Sequence, residues 1–82
     1  EDPQALLHLA RLSFVTGESL SARGFIQRHF EVSTDTPEAL LLAFRIERVL
    51  GAKDAQATYA LRLRGKFPQS AEARQLRTLT GK

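Results

Sequence analysis

The chain has 82 residues, a net charge of +3, no cysteine and no tryptophan. That length makes one domain, which buries only about 60% or a little more of its unfolded surface and so has a modest core. The missing cysteines exclude a disulfide frame and a zinc-ribbon or zinc-finger site, and no apolar run is long enough to span a membrane.

The first helix is expected over Pro3 to about Thr16. Asp2 is its N-cap, and Pro3 suits the first turn, where a missing N–H costs nothing. Leu6, Leu9, Ala10 and the Ser13/Phe14 region supply a packing stripe, and Gly17 closes the helix. Glu18 and Ser19 make the turn. The second helix is expected from Leu20 or Ser21 to Glu31, with Ala22, Phe25, Ile26, His29 and Phe30 at helical spacing on one side. Gly24 lowers helix propensity by about 1 kcal/mol relative to alanine and is expected to mark a close helix–helix contact.

A polar loop, Val32 to Thr36, leads to the third helix, Pro37 to Gly51. Thr36 is its N-cap, Glu38 complements the positive end of the helix dipole, and Gly51 terminates it. Apolar residues lie almost all the way round it, which predicts a helix buried on more than one face. The fourth helix is expected over Asp54 to Lys66, with Ala60, Leu63 and Phe67 as its stripe, Tyr59 beside them, and Pro68 after it. Ser70 then caps a last helix, Ala71 to about Thr80.

The third helix repeats the first. Residues 3–17 read PQALLHLARLSFVTG, and residues 37–51 read PEALLLAFRIERVLG. A shift of 34 aligns Pro3 with Pro37, Ala5 with Ala39, Leu6 and Leu7 with Leu40 and Leu41, Arg11 with Arg45, Val15 with Val49 and Gly17 with Gly51. A 34-residue period is the tetratricopeptide length: a helix–turn–helix unit that buries its apolar faces by stacking on copies of itself. The expected architecture is an all-α, right-handed α-solenoid of five helices. Repeat one spans 3–36, repeat two 37–70, and a capping helix 71–80. Arg74 and Gln75 stand where Leu40 and Leu41 stood, a polar version suited to an uncovered end. Ala22, a small residue five positions after Gly17, has Gln56 as its counterpart, so Ala55 or Ala57 is expected to take over the close approach in repeat two.

From Phe44 onward the chain resembles a particular family. Arg45-Ile46-Glu47-Arg48, Leu50-Gly51, Asp54-Ala55, Tyr59-Ala60-Leu61, Leu63, Phe67-Pro68 and Ser70 are similar to the C-terminal repeats of the PilF/PilW family. These are type IV pilus biogenesis lipoproteins, or pilotins. Ala22-Arg23, Phe25 and Gln27-Arg28 fit the same pattern. The resemblance implies a parent lipoprotein on the periplasmic face of the outer membrane that helps the pilus secretin to localise and assemble. The chain lacks the family's lipid-bearing cysteine and holds only the last repeats. It opens Glu-Asp-Pro with no initiator Met, as expected of a processed form or an excised fragment.

No catalytic constellation is present. His8 and His29 stand alone on different helices, without neighbours at metal spacing, and there is no cysteine nucleophile, Gly-rich phosphate loop or G-x-S-x-G elbow. Glu47 lies between Arg45 and Arg48 and is expected to join a surface ion-pair group. The sequence therefore predicts a non-enzymatic module with no metal and no cofactor.

By spacing and by family position, the first helices of the units line a concave, partner-binding face. Repeat one supplies Gln4, Leu7, Arg11, Phe14 and Val15. Repeat two supplies Glu38, Leu41, Arg45, Arg48 and Val49, and the cap supplies Glu72 and Gln75. Like charges three apart, Arg45 and Arg48, slightly destabilise a helix, which points to an anionic ligand such as a peptide carboxylate. The alternative is that these arginines are solvated or pair with Glu38 and Glu47. Leu7, Phe14 and Leu41 are the apolar anchors, or else plain packing between repeats.

The expected partner is a protein segment, the pilus secretin or another pilus component. A generic adaptor for another assembly is the alternative, and self-association through exposed stacking faces stays open. Residues 1–41 hold three arginines against six acids, and residues 42–82 hold nine basic residues against three acids. The basic second half raises nucleic-acid binding as a third reading, weakened by the lack of aromatic stacking platforms other than Tyr59.

Overall fold

A computed structural model describes residues 1–81 and contains five helices. They are α1 (Pro3–Val15), α2 (Ser19–Val32), α3 (Pro37–Leu50), α4 (Lys53–Lys66) and α5 (Ala71–Thr80), with no strand among the described residues. The all-α expectation is met, and each helix lies close to its expected span.

Local chemistry explains most of the boundaries. The side chains of Asp2, Thr36 and Ser70 accept hydrogen bonds from the amides of Gln4, Ala39 and Ala73, at 3.0, 3.2 and 3.0 Å. Each satisfies an orphan donor at a helix start. Gly51 adopts the left-handed conformation at φ 74°, and its N–H donates back to the Arg48 carbonyl, so α3 ends there. α2 and α4 have no side-chain cap, and they begin at Ser19 and Lys53, slightly earlier than expected.

α1 packs on α2 and α3 on α4, α2 meets α3, and α5 lies against α3 and α4. Two apolar clusters result, and α3 belongs to both. Ala39, Leu42, Ala43 and Ile46 join Leu7, Ala10, Ala22 and Ile26 in the first. Leu40, Leu41 and Phe44 join Ala60, Leu63, Ala73 and Leu76 in the second. This double burial is why α3 is apolar nearly all round.

The 34-residue period extends to polar contacts. Arg28 holds Glu1 in a two-pronged ion pair and lies 5.8 Å above the Phe25 ring. Thirty-four residues on, Arg62 holds Asp35 through Nε and a terminal nitrogen, at 3.3 and 2.6 Å, and lies 5.3 Å above Tyr59. The second copy is more elaborate. Lys66 also donates to Asp35 at 2.8 Å, and Arg62 covers Phe30 as well, whose ring stacks on Tyr59 at 5.7 Å. The Arg62 hydrogen bond above all, with Lys66 beside it, holds the Asp35 carboxyl below the usual carboxylate range. Burial pushes the Tyr59 hydroxyl pKa up.

Four expectations are corrected. Glu47 does not join a surface group with Arg45 and Arg48: it is 2% exposed and accepts from Arg23 Nε and a terminal nitrogen at 3.1 and 2.6 Å. Its side chain is directed at α2, while Arg45 and Arg48 are exposed. Gly24 marks no close approach, because a Cβ built there meets nothing within 4 Å. Neither Ala55 nor Ala57 is buried in repeat two; Ala60, the counterpart of Ile26, is. Leu9 is exposed, and Leu7 takes its place in the α1 stripe beside Leu6 and Ala10.

The exposure of Leu9 has a positional cause. Ala5, Leu9 and Leu12 of α1 correspond to Ala39, Ala43 and Ile46 of α3, which α1 and α2 cover. Nothing described covers the α1 copies, and Leu9 and Leu12 stay open. At the other end, Arg74, Gln75 and Thr78 of α5 are the exposed counterparts of Leu40, Leu41 and Phe44, as expected of a polar cap.

Candidate groove on the first helices of the repeats

Residues 34 apart hold equivalent positions in columns across α1, α3 and α5, and most of these positions line a groove. Arg11, Arg45 and Leu79 form one column; Leu7, Leu41 and Gln75 form another; Gln4, Glu38 and Glu72 form a third. A cavity of about 250 Å³ is lined by Arg11, Phe14, Val15, Glu38, Leu41, Arg45, Glu72 and Gln75, with Leu42 behind them. A second, of about 310 Å³, runs on along Leu41, Arg45, Gln75, Thr78 and Leu79. A third, of about 380 Å³, is bounded by Phe14, Arg45, Arg48, Val49 and Leu79. Arg45 borders all three.

The two equivalent arginines are used differently. Arg11 is ion-paired with Glu38 on the next repeat. The matching carboxylate for Arg45 is Glu72, yet no such pair forms. Arg45 lies over the Phe14 ring instead, 5.2 Å from its centroid, a cation–π contact that holds the guanidinium across the groove. Among the described residues, neither Arg45 nor Arg48 has a carboxylate within ion-pair distance. Glu47, the sequence neighbour of both, is committed to Arg23.

The expected site residues divide accordingly. Arg11, Phe14, Val15, Leu41, Arg45, Arg48 and Val49 come together on the groove. Val15 and Val49 are 70% and 63% exposed, which is unusual for valines and leaves apolar surface beside the cations. Leu7 does not line it. It is buried in the first cluster, so its role is packing between repeats. Gln4 is exposed away from the cavities, whereas Glu38, Glu72 and Gln75 line them. Leu79 and Thr78 were missed. Leu79 was detectable, because it stands one period after Arg45.

No group of three or more histidines, cysteines or carboxylates that could hold a metal occurs among the described residues. His29, buried against α1, turns Nδ1 to the Pro3 carbonyl at 2.9 Å, away from the groove. Among the described residues no helix is long and apolar enough to cross a membrane. No protein-family model, curated protein or solved structure matches the chain.

Proposed function

We propose that this chain is a non-enzymatic protein–protein interaction module of the tetratricopeptide type, and that the groove around Arg45 takes a protein segment carrying a carboxylate and apolar side chains. The observation that carries this reading is the pair Arg45 and Arg48. Both lack an internal carboxylate among the described residues, and they border Phe14, Val49 and Leu79. A guanidinium in such a place offers two parallel donors to a carboxylate, and the apolar rim desolvates the pair.

The residues that resemble the pilotins give the partner a name. In this reading the module belongs to an outer-membrane lipoprotein facing the periplasm, and the segment it holds comes from the pilus secretin. A generic adaptor would use the same groove for another acidic segment. Nucleic acid suits it less well, because Phe14 is the one aromatic ring among the lining residues and the Arg45 guanidinium already lies over it.

The test is an amide-resonance titration with secretin peptides at two salt concentrations, repeated with Arg45→Ala plus Arg48→Ala. Shifts gathered on Arg11, Leu41 and Arg45, and affinity lost in the double variant while its melt is unchanged, are the expected results. Equal binding by the double variant removes the groove. Binding of unrelated acidic peptides but of no secretin peptide leaves the adaptor reading.

A further inference from the structure

A larger cleft lies between α4 and α5 and shares no lining residue with the Arg45 groove. Its volume is about 540 Å³. Phe44 and Ala60, both buried, form the apolar floor, with Ala57 beside them. Lys53 and Arg64 stand at either end of the α4 wall and Arg77 faces them from α5. No carboxylate lines the cleft, and none of the three cations has an ion-pair partner among the described residues.

The repeat shows what such a space holds. Subtracting 34 carries Phe44, Ala57 and Ala60 onto Ala10, Arg23 and Ile26. Those residues belong to the surface on which the last turn of α3 is seated. There Ile46 is fully buried against Ala10 and Ile26, and the adjacent Glu47 takes both donors of Arg23. In α5 the corresponding positions are Thr80 and Gly81, and Gly81 turns the chain away at φ 74°. The second unit therefore has the bed without the isoleucine and the glutamate that fill it in the first.

We propose that this cleft is a second docking site, for an amphipathic helix of a partner protein that presents an aliphatic side chain followed by a carboxylate. The aliphatic group covers Phe44 and Ala60. The carboxylate meets the cations of the rim, because Arg23 itself is replaced by Ala57. Charge complementarity and the internal precedent choose the same occupant. The site does not depend on the groove around Arg45.

The probe is a labelled, net-acidic amphipathic peptide carrying Ile-Glu pairs at heptad spacing, followed by anisotropy and by amide shifts on the whole chain. Binding is expected, with shifts at Lys53, Ala57, Ala60 and Arg77. Arg64→Glu plus Arg77→Glu, both exposed positions, should weaken it about tenfold or more without changing the melt. Ala57→Arg restores the counterpart of Arg23 at an exposed position and should tighten binding several-fold. No binding, indifference to the charge reversal, or shifts confined to Phe14, Leu41 and Arg45 would overturn the proposal. So would equal binding of the same peptide with lysine in place of glutamate. Tighter binding of a single-stranded oligonucleotide at the same amides would give the cleft to nucleic acid and overturn it too.

Discussion

Arg23 reaches from α2 to the buried carboxylate of Glu47 on α3 and holds it through two nitrogens, so the two repeats are tied by an ion pair as well as by apolar contact. The pair is lopsided. Glu47 is 2% exposed, whereas a third of the Arg23 side chain is open to water.

That lopsidedness predicts unequal losses. Arg23→Ala strands a buried carboxylate, and Glu47→Gln frees an arginine that can turn to solvent. The melting temperature should fall by several degrees or more in the first variant and by clearly less in the second. Equal losses in matched thermal melts would mean that the pair contributes only as contact area.

Asp35 should shape the acid limb of stability. Its carboxyl pKa is lowered in the folded chain from an ordinary value of 3.8, so the unfolded chain binds the proton more readily. The Asp35 contribution is thus fully present above that ordinary value and is lost as the pH falls through the depressed folded value. Asp35→Asn should be less stable than the parent at neutral pH, and the two stabilities should converge in urea melts as the pH falls through the depressed folded value. Glu1→Gln should change little, because the Glu1–Arg28 pair is half exposed on both sides and screened by water.

His29 occupies the position that Leu63 fills one repeat later, where the side chain is wholly buried. Its Nε2 is buried without a partner, while Nδ1 bonds to the Pro3 carbonyl. A stranded polar atom costs about 1–3 kcal/mol, more than a typical hydrogen bond contributes. His29→Leu is expected to raise stability by about 1 kcal/mol. A destabilised variant in a denaturant titration would show that the bond to α1 outweighs the unsatisfied nitrogen.

Leu40 is completely buried in the second cluster. Leu40→Ala should cost about 2–5 kcal/mol, from lost transfer energy and the cavity left behind. A loss under about 1 kcal/mol in a urea melt would be incompatible with this packing.

The helices were legible wherever a side chain marks the boundary. Asp2, Thr36 and Ser70 cap as their identities suggest, and Gly51 turns left-handed as a terminating glycine should. α2 and α4 start without a side-chain cap, so their first residues carried no signal. The period of 34 brought out the columns, and with them most of the groove. It could not show that Arg11 has a partner and Arg45 has none, because that depends on where each long side chain comes to rest. Glu47 was misleading for a related reason: its neighbours in sequence are arginines, but its partner is 24 residues away on another helix. Leu7 looked like an anchor because its repeat-mate Leu41 reaches the groove, yet α1 turns it into the first cluster.

The open leucines on α1 and the guanidinium and amide groups on α5 make the two ends of the stack chemically unlike. An apolar end does not match a polar one, so this surface does not favour copies joining head to tail into an open-ended fibre. Association that uses Leu9 and Leu12 pairs like with like about a two-fold axis and is complete at two copies. For an engineer the same contrast sets a direction: a helix pair grafted before Pro3 meets an oily bed, while one grafted after Gly81 needs Arg74 and Gln75 rewritten first.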